Sequence, residues 1–214
     1  MQLNRRAFFD FVRMKLFQGR LGAGQVQGLT AILDGWQARV GQGGMQALAP
    51  CSAQPLAYVL ATAFHETAAT MQPVRETLAV SDRVAIARLE EAFAAGRLGS
   101  VKTPYWRPDA DGKSWLGRGL VQLTHRRNYA AMSGVTGIDL LADPGGAMEM
   151  PVSVAILIEG MRRGSFTGRK LDDYFRPERA DWVGARKIIN GNDRAELVAR
   201  HARVFAAALD ARPH

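Results

Sequence analysis

The chain has 214 residues, 47% of them hydrophobic and 22% charged, with a formal net charge of +8 and a pI of about 10.2. Such a composition is ordinary for a globular protein, is long enough for one sizeable core or two small lobes, and contains no stretch resembling a transmembrane span. The lone Cys51 excludes an internal disulfide and a multi-cysteine metal site, and it fits synthesis in a reducing cytosol. A positive balance favours polyanions such as nucleic acid, anionic membrane or acidic wall polymers. The basic residues are scattered, however. Arg126-Arg127 and Arg162-Arg163 are the densest pairs, and no nucleic-acid module is visible.

The first residues carry a basic pair, Arg5-Arg6, and then apolar residues interrupted by Asp10 and Arg13. No small-residue cleavage site follows, so the segment reads as a short amphipathic helix and not as a signal peptide. Gln25 to Val40 is a predicted helix whose apolar stripe is Val26, Leu29, Leu33, Trp36 and Val40. Gly41-Gln42-Gly43-Gly44 then predicts a loop. A second helix opens near Gln54-Pro55 and runs to Glu66, with Leu56, Val59, Leu60 and Ala63 at helical spacing. Pro73 ends or redirects it. Ser81-Asp82 predicts an N-cap with an acidic first turn. That helix runs to about Ala95, with Ile86, Leu89 and Phe93 inward and Gly96 as its stop.

Periodicity is lost from Leu98 to Trp115. The Asp109-Ala110-Asp111-Gly112 piece starts like a calcium loop but lacks the later ligands, so it reads as a turn. Gly117 to Thr124 reads as an extended, glycine-punctuated strand, with Leu120, Gln122 and Thr124 on one face. Helices are predicted over His125–Ser133, Pro151–Arg163 (Val152, Ala155, Ile156 and Met161 inside), Asp181–Ile189 and Arg194–Leu209. Gly164–Gly168 is a turn between two of them. On the last helix Leu197, Val204, Ala208 and His201 are expected inward, His201 as a packed core histidine. The sum is a mainly α single domain over residues 1–214, in which residues 1–50 pack on a core of 51–210. It is bilobed, with a small β-hairpin element beside a cleft.

The chemistry centres on Glu66. Its position continues the apolar face of its helix, where desolvation raises a carboxyl pKa and suits it to general-acid work. The bland alternative is a glutamate at the helix edge that stays solvated. Glu76 lies ten residues on, past the Pro73 bend, so the two carboxylates can face each other across a cleft. Tyr105 and Trp106, in the aromatic-rich loop, suit the C–H faces of a sugar. Gln122 and Thr124 add two hydrogen-bonding groups, unless they form only the polar outer face of an edge strand.

The blocks Phe64-His65-Glu66-Thr67, Met71-Gln72-Pro73-Val74-Arg75-Glu76, Gly117-Arg118-Gly119-Leu120-Val121-Gln122-Leu123-Thr124-His125 with Asn128-Tyr129, and Ile188-Ile189-Asn190-Gly191 resemble glycoside hydrolase family 19. That family holds the plant-type chitinases and related phage endolysins, and the resemblance runs from about residue 5 to 209. The start, Asn4 to Phe9, looks more like the endolysin branch. The resemblance implies a lysozyme-like helical fold and hydrolysis of β-1,4 bonds between N-acetylated sugars, with inversion. It places Glu66 on the general acid and Glu76 on the second carboxylate, with Asp109 as its rival. Thr124 falls on the residue that helps hold the attacking water. Gln122, Asn128 and Asn190 fall on sugar-binding or supporting positions, and His65 on the site's support. Many members carry an arginine on the C-terminal helix that contacts the acidic pair, here Arg200 or Arg203.

An inverting pair needs one protonated carboxyl at the leaving oxygen and one group activating water. The expected activity is therefore that of a muramidase-type endolysin acting on peptidoglycan glycan strands. The alternatives are a chitinase acting on chitin oligosaccharides, a lytic transglycosylase, and a non-catalytic wall-binding phage protein. No metal or organic cofactor, no nucleic-acid partner and no stable membrane insertion are expected, and a monomer is. Synthesis in the cytoplasm without a signal peptide implies a holin-type release to the wall.

Overall fold

Among residues 3–40, 53–99 and 101–212, which the computed structural model of the chain describes, one helix is enclosed on every side. This is α3 (Ala53–Glu66), in which every residue from Pro55 to Ala63 is buried. The apolar face expected over Leu56, Val59, Leu60 and Ala63 is thus only part of what is covered. A helix apolar all round belongs in the middle of a core. Helix α8 (Ala195–Leu209) lies along it, and α2 (Ala23–Val40) and α6 (Met150–Arg163) also pack on it. Helix α1 (Arg5–Lys15) packs on α8 through Phe8 and Val12. The Gly41–Gly44 loop, Cys51 and the Val40 side chain lie outside the described residues.

On α2 the buried set is Leu29, Ile32, Leu33 and Trp36, an i, i+3, i+4, i+7 series, while Val26 is exposed. The expected stripe therefore started one turn too early and missed Ile32. On α8 the buried face is Val198, Ala199, Ala202, Phe205, Ala208 and Leu209. Leu197, His201 and Val204 are only half-buried, about one residue's rotation away from the expected face. Alanines at three of those buried positions let α8 approach α3 closely.

A second, smaller hydrophobic cluster gathers around α4 (Asp82–Ala94): Ala79, Ala85, Leu89, Trp106 and Leu116. Ser81 caps α4 as expected, its side chain accepting from the Val84 N–H at 3.3 Å. The small cluster is tied to the large one by Arg118, whose buried guanidinium donates to Asp82 at 2.5 Å and to the Tyr129 hydroxyl at 2.8 Å. Burial alone raises the Asp82 carboxyl, but the hydrogen bonds and charges of Arg118 and Arg75 outweigh it and hold it below the usual carboxylate range.

The strands are short. β1 (Val74–Arg75) pairs antiparallel with β2 (Arg118–Gly119), and β3 (Phe175–Arg176) with β4 (Arg179–Ala180). Of the extended run expected over Gly117–Thr124, only Arg118–Gly119 is strand, and the chain then makes a tight turn. Leu123 folds back onto Arg118 through reciprocal backbone bonds of 3.2 and 2.9 Å, and Gln122 has φ +53°. The turn forms because Gly119, at φ +87°, lies against the start of α6 and the turn before it, where a Cβ would meet Ser153 Oγ at 2.7 Å and the Ala147 carbonyl oxygen at 2.9 Å. The Leu120 N–H then donates to Ser153 Oγ at 2.7 Å. Gly119→Ala is expected to cost at least about 1–3 kcal/mol from the backbone conformation alone. In a domain of this size each kcal/mol lowers the melting temperature by about 2–4 °C, which calorimetry reads directly.

Helix α5 (Arg126–Thr136) runs one residue short of the predicted start and three beyond the predicted end. A 3-10 turn at Gly184–Ile188 replaces the helix predicted over Asp181–Ile189. A single helical turn, α7 (Leu171–Tyr174), and a 3-10 turn at Pro144–Met148 carry no periodic signal in the sequence.

Candidate functional site

A cleft of about 450 Å³ opens between the two hydrophobic clusters. Its polar lining is Glu66, Tyr105, Gln122, Thr124, His125, Asn128 and Asn190. Its apolar lining is Val101, Val121, Leu123, Phe166 and Ile189.

Glu66 is the last residue of α3. The helix stops there because the Thr67 hydroxyl bonds back to the Ala63 carbonyl at 2.7 Å and accepts from the Met71 N–H at 3.0 Å. Gln25 on α2 clamps the turn that follows, donating to the Ala69 carbonyl at 3.0 Å. The Glu66 side chain is 15% exposed and pairs with Arg186, whose Nη1 lies 2.7 Å from Oε1. Arg186 itself is 3% exposed, and its Nε donates to the Asp193 carbonyl at 2.8 Å. The expected supporting arginines, Arg200 and Arg203, are exposed on α8. Arg186, in the Gly184–Ile188 turn, supplies the contact instead, because α8 meets the end of α3 with its buried face while Arg200 and Arg203 lie on its exposed side.

Glu76 is held rigidly. Its Oε2 accepts from the Gly117 N–H at 2.8 Å, and its backbone N–H donates to the Gly117 carbonyl at 2.7 Å. A Cβ on residue 117 would lie 2.9 Å from Gln122 Oε1 and 3.3 Å from Glu76 Oε2, so a side chain there would displace both of these groups. The Tyr105 hydroxyl donates to Glu76 Oε1 at 2.6 Å. Glu76 is not on the cleft lining. It reaches the cleft through Tyr105. Burial, and then the adjacent carboxylate, push the Tyr105 phenol upward.

Gln122 faces the cleft, but its amide nitrogen donates to the carbonyls of Val74 at 2.9 Å and Gly119 at 3.3 Å, stapling β1 to β2. Thr124 and Asn128 are half-buried and Asn190 is exposed. Trp106 is not a sugar platform. It is completely buried in the small cluster, with Nε1 donating to Glu90 at 2.6 Å. Asp109 is no second carboxylate of the cleft. Its oxygens accept from the N–H groups of Asp111 and Lys113, both at 3.0 Å, and from Trp115 Nε1 at 2.9 Å, so it organises a turn.

His65 is not on the lining either. It is half-buried beside α8, near His201, whose Nδ1 is buried without a hydrogen-bond partner among the described residues. Burial lowers both imidazoles below their ordinary 6.5, and the charges of His65 and Arg200 lower His201 further. The unfolded chain therefore binds more protons than the folded one below pH 6.5, so stability falls as pH falls from there through the lowered folded values. The melting temperature is expected to drop on acidification from pH 7, and His201→Phe is expected to flatten that slope. An unchanged slope would remove His201 from this account.

His125 escaped the sequence reading except as a motif residue. Its ring lies 4.5 Å from that of Tyr105, and desolvation, then Arg127, lower its pKa. Backbone strain also concentrates here. Ala68, Ala69, Met71, Thr77, Leu78, Gln122 and His125 all have positive φ, and the only other described non-glycine residues that do are Gln18 and Arg194. Each such position costs about 1–3 kcal/mol and persists only where its surroundings over-determine it, as at functional sites.

Comparisons with protein-family models, with curated proteins and with solved structures found no match to this chain. Among the described residues no group of three or more His, Cys, Asp or Glu side chains is placed to hold a metal ion, and no helix is long and apolar enough to cross a membrane.

Proposed function

We propose that this protein is a lysozyme-like glycoside hydrolase, akin to family 19, that cuts β-1,4 bonds in the glycan of peptidoglycan. The observation that carries the reading is Glu66: a carboxyl at the end of a fully enclosed helix, 15% exposed, on the wall of a cleft. Three carboxamides and the rings of Tyr105 and Phe166 line the same cleft, a mixture of polar groups and ring faces that suits an N-acetylated sugar. The net charge of +8 suits an anionic wall.

In this reading Glu66 acts in its protonated form, with Oε1 accepting from Arg186 while the other oxygen gives its proton to the glycosidic oxygen as the C1–O bond breaks, and the guanidinium then pairs the carboxylate that remains. A water held by Thr124 adds to C1 from the opposite face. Its proton passes to the Tyr105 oxygen while the Tyr105 proton moves to Glu76, 2.6 Å away. Moving both protons together avoids a free tyrosinate, which burial and Glu76 both disfavour. The product is a hemiacetal of inverted configuration.

One observation favours a second reading. Glu66 is the only carboxylate among the described cleft-lining residues, and a lytic transglycosylase needs one acid and no activated water. Mass spectrometry of fragments released from purified peptidoglycan separates the two. Reducing-end muramic acid supports hydrolysis, whereas 1,6-anhydromuramic acid, with Glu76→Gln and Thr124→Ala still active, assigns the transglycosylase. Turnover confined to chitin oligomers assigns a chitinase.

A further inference from the structure

A second cavity, of about 640 Å³, lies away from the cleft, between the outer side of α1 and the residues that follow α8. Two parallel stripes of α1 form one wall. Arg6, Asp10 and Arg13 recur at i, i+4 and i+7, and so do Ala7, Phe11 and Met14. Lys15 closes the wall, and Ala211 and Arg212 face it from beyond α8. Four cations thus rim this groove against one carboxylate. Asp10 is already engaged by Arg13 at 3.1 Å. The side chains of Arg6, Lys15 and Arg212 are exposed and make no hydrogen bond or ion pair with another described residue. Beside them Met14 is 60% exposed, one of the few large hydrophobic side chains left in solvent among the described residues, whereas Phe11 is half-buried against the main core. The inner face of α1, Phe8 and Val12, is fully buried, so the helix is anchored and its outer face is fixed in place.

A purely polyanionic partner leaves the exposed Met14 uncovered, and a purely apolar one leaves the cations unanswered. The chemistry that satisfies both is an anionic headgroup layer above hydrocarbon, against which a basic amphipathic helix lies in the interface plane. We infer that the α1 groove is a peripheral docking surface for an anionic phospholipid membrane. Arg6, Lys15 and Arg212 meet the headgroup phosphates, while Met14 reaches the acyl boundary. Attachment is superficial and reversible, since no described helix is long and apolar enough to cross a membrane. The inference does not rest on the hydrolytic reading of the cleft, and its test uses no catalysis.

The test is co-sedimentation of the full chain with vesicles of equal parts phosphatidylglycerol and phosphatidylcholine, beside vesicles of phosphatidylcholine alone. The wild type is expected to bind the mixed vesicles and not the neutral ones. Each cation near such a surface strengthens binding about fivefold, so Arg6→Gln/Lys15→Gln/Arg212→Gln is expected to weaken it on the order of 100-fold. Met14→Ser is expected to weaken binding severalfold even at raised salt, where the charge contribution is screened. All four side chains are exposed, so the melting temperature serves as a control that the fold persists. Equal binding by wild type and triple variant would overturn the inference, as would no binding to the mixed vesicles. Displacement by soluble poly-glutamate, with Met14→Ser behaving as wild type, would assign the groove to polyanions and overturn the lipid assignment.

Discussion

Glu66→Gln is expected to lower glycan cleavage by about 10²- to 10⁴-fold, the range a positioned general acid contributes. Glutamine keeps the shape of the side chain, and its carbonyl oxygen can still accept from Arg186 Nη1, which lies 2.7 Å from Oε1. What it lacks is a proton to give to the leaving oxygen. The experiment is turbidity loss of outer-membrane-stripped Gram-negative cells, with wild type and variant matched for folded protein by circular dichroism. Glu66→Ala should lose as much activity and more stability, because it also strands the Arg186 guanidinium. Cell clearing by Glu66→Gln at the wild-type rate would remove Glu66 from the acid role and with it the hydrolytic reading. Loss with Glu66→Gln alongside full activity of Glu76→Gln would keep the acid and discard the activated water.

The parts of this site that could be read in the sequence are those whose signal is local. Glu66 stands out because helical periodicity carries an apolar face to it, and α3 ends at that residue. Ser81 stands out because capping depends on a residue and its next three neighbours. Arg186 did not, because its role depends on a contact 120 residues away in sequence. It also sits in a 3-10 turn without apolar periodicity. Trp106 and Tyr105 are adjacent and look equivalent as letters. One is buried against Glu90 and the other faces the cleft, a difference set by how the loop lies on α4. The Gly117–Thr124 block misled for a different reason. Its glycines read as punctuation in a strand, whereas Gly119 permits a turn whose cause, Ser153, lies on α6.

Arg186→Met carries the second large expectation, a loss of about 3–5 kcal/mol of stability, the cost of removing one partner from a buried ion pair. Arg186 is buried at 3% exposure, and Glu66 is largely covered at 15%. The guanidinium does more than neutralise Glu66. Through Nε it also holds the Asp193 carbonyl, so it ties the end of α3 to the segment that leads into α8. For a chain of this length the loss corresponds to a fall of about 6–20 °C in melting temperature. Arg186→Lys keeps the charge but cannot present two donors in a fixed plane, so it is expected to fall between wild type and methionine. The double variant Glu66→Gln/Arg186→Met separates a stranded charge from lost packing. If the stranded carboxylate dominates, the double variant is more stable than Arg186→Met alone, with a coupling of about 0.5–3 kcal/mol. If the two variants melt together, the loss comes from the Asp193 contact and from packing, and Glu66 does not depend on Arg186 for its place in the cleft wall.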